Sequence, residues 1–134
     1  MSDVLSQLPH LSVNERLAVA ELLHRLEHEF GDQVLEVVIY GSSARGDRGA
    51  DSDVDLLIIT RHDDWREHEP IRFLTARLSS KYDVFLSARV MGQDHYRRLC
   101  LAQPLFYLNV QRDGLQLMGL DDSSSPGPRQ PVPA

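Results

Sequence analysis

The chain has 134 residues, 42% hydrophobic and 25% charged, which suits one packed domain and leaves no length for a second sizeable core. Its 14 Lys and Arg stand against 20 Asp and Glu, a net charge of -6, the wrong balance for a protein that grips duplex nucleic acid by its phosphates. Cys100 is the only cysteine, which excludes an intrachain disulfide and a cysteine-based zinc cluster and suits a reducing compartment. The opening Met1-Ser2-Asp3-Val4 has no basic and apolar leader, and no apolar run is long enough to span a bilayer, so a cytoplasmic location without a membrane segment is expected.

Ser12-Val13-Asn14-Glu15 reads as a capping box, and apolar residues then recur with helical spacing from Val13 to Phe30, ahead of Gly31. This predicts an amphipathic helix over 12–30. Val34 to Tyr40 is apolar and β-branched, a strand buried on both faces, and it runs into the small-residue segment Gly41-Ser42-Ser43-Ala44-Arg45-Gly46. A second strand is predicted over 53–59, a charged exposed stretch over 61–69, a helix from Pro70 to Leu78 and a third strand over 82–87. Residues 94–112 read as helical with a break near Pro104, Asp113-Gly114 as a turn, and Leu115 to Met118 as a short last strand. The remaining Ser, Pro and Gly-rich residues cannot build a core. The expected organisation is therefore a folded domain over 1–118 and a disordered tail over 119–134. The fold class is α/β (α+β), a small mixed β-sheet flanked by helices. The loop between the first two strands is too short for a crossover helix, so they are expected to be antiparallel or part of a mixed sheet.

The chemistry concentrates between Gly41 and Ile59. Asp53 and Asp55 are two apart in a strand, so both carboxylates project from one face, with Val54 and Leu56 on the other. Like charges that close resist joint ionisation, and a hard divalent cation such as Mg²⁺ relieves them. The bland reading of such a pair is a solvated strand start. The neighbouring strand end argues against it, because Gly41 lets backbone N–H groups approach an anion and the Ser42 hydroxyl can donate to a phosphate oxygen. Arg45 adds positive charge. Gly41 and Gly46 have the outer spacing of a P-loop, but Asp47 and Arg48 stand where Lys and Ser/Thr are required, so a P-loop is excluded.

Gly41-Ser42, ten intervening residues and then Asp53-Val54-Asp55 before apolar Leu56-Leu57-Ile58 resemble the signature of the DNA polymerase β-like nucleotidyltransferases. The longer match, Gly41 to Gly46 with Ser52 to Leu56, is similar to the minimal nucleotidyltransferases paired with HEPN-domain partners. The resemblance covers most of residues 12–118. It implies the polymerase β-like fold and transfer of AMP from ATP to an acceptor hydroxyl, assisted by two Mg²⁺ ions. It implies nucleotide contacts from Gly41, Ser42, Ser43, Arg45 and Ser52, and metal ligation and catalysis by Asp53, Asp55 and a third carboxylate for which Asp83 is the matching position. It also implies a specific role: an antitoxin that adenylylates a tyrosine of its HEPN RNase toxin. The net acidity is compatible with docking on a basic partner. The rivals are a small-molecule adenylyltransferase of the aminoglycoside type, for which the chain lacks an added acceptor domain, and a non-catalytic antitoxin acting by steric contact.

Other signals have blander readings. His24-Arg25-Leu26-Glu27-His28 spells a zinc-peptidase pattern but offers only two ligands on one helix face, and a solvated face is expected. His62, Asp63, Asp64 and His68 are expected in a solvated connector, and Tyr96, Arg97 and Arg98 on exposed helix surface. Leu105 to Leu108 and Val110 are expected in the core or against a partner subunit, where they would support a homo- or hetero-oligomer.

Overall fold

The computed structural model of the chain describes residues 11–40 and 53–119. Within them, helix α1 (Val13–Glu29) is followed by strands β1 (Val34–Tyr40) and β2 (Val54–Thr60), helix α2 (Trp65–Tyr82), strand β3 (Leu86–Gly92), helices α3 (Gln93–Ala102) and α4 (Pro104–Asp113), and strand β4 (Leu115–Gly119). The strands form one mixed sheet in the order β3-β2-β1-β4. β1 pairs antiparallel with β2 and β4, while β2 and β3, joined through α2, are parallel. The expected mixed sheet between helices is thus realised.

The sheet has a core on each face. Val37 and Ile39 of β1 and Val54, Leu56 and Ile58 of β2 pack under α1 and α2, with Leu22, Leu26, Ile71 and Leu74. The alternate residues Val38, Leu57, Ile59 and Met91 face α3 and α4, meeting Tyr96, Cys100 and Val110. This is why β1 and β2 are apolar at nearly every position.

α1 starts as the sequence dictates. The Ser12 hydroxyl accepts from the Glu15 N–H at 3.1 Å and the Glu15 carboxylate accepts from the Ser12 N–H at 2.9 Å. Past its end, a Cβ on Gly31 would lie 2.5 Å from the Glu27 carbonyl oxygen, so only glycine fits there. The Glu21 carboxylate receives Lys81 Nζ at 2.8 Å and the Tyr82 hydroxyl, tying α1 to the end of α2. These bonds, Lys81 first, hold the Glu21 carboxyl below the usual carboxylate range.

Three expectations shift. α2 begins at Trp65, not at Pro70, because Asp64 caps it through the Arg66 N–H (2.9 Å) and the buried His68 anchors its first turns. Pro70 sits inside the helix, where it lacks only one backbone donor. α2 also runs on to Tyr82, so the third strand occupies Leu86–Gly92 and not 82–87. Asp83 ends α2 in the left-handed region (φ 56°, ψ 51°). Finally, Tyr96 is buried where exposed helix surface is expected, while Val110 is in the core as expected and Leu105 and Leu108 are exposed. Gly119 still pairs with Glu36 in the sheet, and residues 120–134 of the expected tail lie outside the described residues.

Candidate active site

β1 and β2 determine the geometry of the site. In their antiparallel register Tyr40 lies opposite Asp55. Tyr40 is the residue before Gly41, so the acidic pair sits at the strand end from which the small-residue segment departs. Asp55 is half-buried on the face of β2 that carries Leu57 and Ile59, and Val54 and Leu56 point into the opposite core, as the alternation predicts. Asp53 is exposed, one residue ahead of the strand, where the Val54 N–H already bonds to the Phe85 carbonyl at 2.8 Å. Gly41, Ser42, Ser43, Arg45 and Ser52 lie outside the described residues.

Asp83 is placed differently from the other two acids. It is exposed at the α2 terminus, its N–H bonded to the Ser79 and Ser80 carbonyls, three residues ahead of β3. β3 meets β2 with Leu86 beside Val54 and Ser87 beside Asp55. Among the described residues no group of three or more His, Cys, Asp or Glu side chains that could hold a metal ion is found.

Two site residues were not anticipated from the sequence. The Tyr40 hydroxyl is pushed above the ordinary tyrosine range, chiefly by burial and also by Asp55, while the nearby Arg89 cation opposes the rise. Phe106 of α4 meets Tyr40 edge to face, with ring centroids 6.1 Å apart and planes at 85°. The position of Tyr40 directly before Gly41 was a usable signal. Phe106 had none.

The remaining histidines stand apart. His68 Nε2 lies 2.8 Å from the Thr60 hydroxyl and 3.1 Å from the His62 carbonyl. Thr60 closes β2 at the end away from Asp55, about 16 Å along the strand at ordinary strand rise. There Asp63 accepts from the Gly92 N–H at 3.1 Å, which, with His95 and His68 nearby, holds its carboxyl below the usual range. His24 and His28 are exposed on α1, with His28 Nδ1 2.9 Å from the His24 carbonyl, the solvated face expected of them. Among the described residues no helix is long and apolar enough to cross a membrane.

A family model described as a nucleotidyltransferase domain matches residues 19–97, from α1 into α3. The chain belongs to that family. Two proteins of Methanocaldococcus jannaschii that bear the name "Putative protein adenylyltransferase" resemble this nucleotidyltransferase. MJ0604 is 28% identical over 76% of this chain and 96% of its own, and MJ0141 is 39% identical over 42% of this chain and 58% of its own. In fold, the nucleotidyltransferase is similar to a crystal structure of a MntA–HpeT toxin–antitoxin variant (TM-score 0.52, 16% identity, 78% of this chain and 75% of that one). It is also similar to a toxin–antitoxin solved with AMP-PNP (TM-score 0.51, 17% identity, 77% and 75%).

Proposed function

We propose that this nucleotidyltransferase uses ATP and Mg²⁺ to move AMP onto a hydroxyl of a partner protein, a tyrosine of a HEPN-type RNase toxin, and thereby acts as its antitoxin. The observation that carries the reading is the register of Tyr40 with Asp55, which brings the acid pair to the strand end where Gly41-Ser42 begins. Relatives named for protein adenylylation, and fold neighbours solved as toxin–antitoxin complexes, one with AMP-PNP, support the acceptor class and the nucleotide.

The donors fit a hard divalent ion. They are carboxylate oxygens two residues apart, one group exposed just ahead of β2 and one half-buried within it, the type that Mg²⁺ takes together with substrate phosphates. Asp53 and Asp55 would hold it. Bound there, magnesium supplies charge neutralisation on the triphosphate and on the attacking oxygen. The chain's own groups then position. Gly41, Ser42, Ser43 and Ser52 offer backbone N–H and hydroxyl donors to the nucleotide, and Arg45 supplies positive charge. The acceptor oxygen forms its bond to the α-phosphorus as the bond to the bridging oxygen breaks and pyrophosphate leaves. The hydroxyl proton passes to a carboxylate. Asp83, the proposed third carboxylate, would complete the metal ligands and take that proton.

The test is labelling with ATP carrying its label on the α-phosphate, in the presence of Mg²⁺ and the protein encoded alongside. Label on a tyrosine of that protein, lost in Asp53→Asn and Asp55→Asn, is the expected result. Label on an aminoglycoside and on no protein would establish the small-molecule reading instead. Neutralisation of the toxin without any label would establish steric binding.

A further inference from the structure

On the sheet face that carries Asp55, β3 presents Ser87 and then Arg89. Ser87 is beside Asp55, and Arg89 is beside Leu57, the next residue inward on that face. The strand neighbouring the acid pair therefore brings a cation to the site. The Arg89 side chain is exposed but not loose. Its guanidinium carbon lies 4.8 Å from the centroid of the Phe106 ring on α4. The Phe106 ring in turn meets Tyr40 of β1 edge to face, and the Arg89 charge opposes the rise of the Tyr40 hydroxyl. Because β2 lies between β3 and β1, contact with a ring that itself meets Tyr40 of β1 keeps the guanidinium on the face of β2 that carries Asp55.

Holding a long cationic side chain in one place costs rotamer entropy, and here the Phe106 ring, itself against Tyr40, does the holding. Contact with an aromatic ring does not spend the guanidinium's planar donor fork, which can serve a ligand. That fork matches the spacing of phosphate oxygens, which a point charge does not. The charge balance points the same way. A triphosphate and two carboxylates carry more negative charge than two magnesium ions neutralise, and the excess grows on the pyrophosphate as it leaves.

We propose that Arg89 is a triphosphate-binding residue, held against the Phe106 ring on the Asp55 face so that its guanidinium meets the phosphates beyond the α position. Phe106, backed by Tyr40, is the positioning residue for it. This rests on the reading of the site as one for an NTP. It also accounts for an arginine, and no carboxylate, on the stretch of β3 beside the acid pair.

Equilibrium binding of ATP and of AMP, each with Mg²⁺, to the full chain and its variants tests the assignment. Arg89→Ala is expected to weaken ATP binding on the order of 10- to 100-fold, the range for a lost charge-assisted hydrogen bond, and to leave AMP binding within about twofold. Arg89→Lys should fall between. Phe106→Ala should lower ATP affinity in the same direction by a smaller factor, and Phe106→Trp, which keeps a ring face, should restore it. Thermal melts of the Arg89 variants establish that they are folded. Equal losses for ATP and AMP would assign Arg89 a structural role and overturn the proposal, as would no loss for either. Wild-type protein that binds ATP no better than AMP would overturn the NTP reading itself. Wild-type protein that shows the Arg89-dependent preference for ATP but labels no partner would uphold Arg89 and overturn protein adenylylation.

Discussion

Asp55 and Tyr40 share one rung of the β1–β2 ladder, and each sets conditions for the other. Burial is the main reason the Tyr40 hydroxyl holds its proton above the ordinary range, and the Asp55 charge reinforces it. The sign of the consequence follows by linkage. A group whose pKa is raised on folding contributes stability that is full below its unfolded value, near 10, and lost as pH rises through the folded value. Tyr40→Phe should therefore flatten the alkaline limb of the stability curve, and denaturant titrations across that limb would measure it. An unchanged limb would show that Tyr40 ionises as if unfolded. Asp55→Asn should move the phenolate titration of Tyr40 downward, read as the difference between this variant's ultraviolet titration and that of the variant also lacking the Tyr40 hydroxyl. In catalysis the same substitution, or Asp53→Asn, removes a carboxylate proposed to hold magnesium. A loss of at least roughly a hundredfold in AMP transfer is expected, since metal stabilisation of transition-state charge is worth several kcal/mol. Transfer within a few-fold of wild type would remove that acid from the machinery.

At the level of elements, the ends matter more than the middles. The reciprocal Ser12–Glu15 bonds make Ser12→Ala a clean test of the start of α1, with an expected loss of about 1 kcal/mol in denaturant unfolding. The end of α2 bears on function as well as fold. Asp83 occupies left-handed backbone, which Asp and Asn tolerate and β-branched residues do not. Asp83→Val should cost roughly 1–2 kcal/mol, whereas Asp83→Asn should fold like wild type, so any loss of transfer in the Asn variant is chemical. These ends also mark what was legible. α1, β1 and β4 read almost to the residue, because a capping box, a Val- and Ile-rich apolar run and a glycine closing a helical stretch are local signals. Asp55 lies on the face of β2 opposite to Val54 and Leu56, as predicted, because strand alternation is itself local. The junction of α2 and β3 did not read. Tyr82-Asp83-Val84-Phe85 is β-prone in isolation, but the Glu21 bonds to Lys81 and Tyr82, 60 residues away in sequence, keep the helix going to Tyr82. Setting the strand too early also hid Arg89, whose place opposite Leu57 exists only in the parallel register. Pro70 misled for a related reason. Proline is favoured in a first turn, but Asp64-Trp65-Arg66-Glu67 carries the stronger start signal, an N-cap acid with Glu three residues on.

For the whole molecule the sheet is the shared wall of two cores, so neither side can be lost without stripping the other of its backing. A domain built this way is expected to open as one unit. Cys100 reports on that opening. It is buried on α3 in the second core, and burial pushes its thiol above the usual range, with a smaller opposing effect from the neighbouring Tyr96. Both effects of burial, exclusion of reagent and loss of thiolate, suppress attack. As the only cysteine in the chain, it needs no background correction. Native protein mixed with an aromatic disulfide reagent at mildly alkaline pH should react slowly, and protein in denaturant at once, with one thiol per chain in the end. If opening is global, added denaturant should raise the native rate in step with the loss of α1 and α2, whose contacts lie on the far face of the sheet. Mg²⁺ and ATP, binding the folded state alone, should slow it further by mass action. Rapid native labelling, or labelling insensitive to denaturant below the main transition, would mean that α3 and α4 detach independently. Phe106 would then leave Arg89 with them, and the nucleotide would bind to a surface that assembles only part of the time.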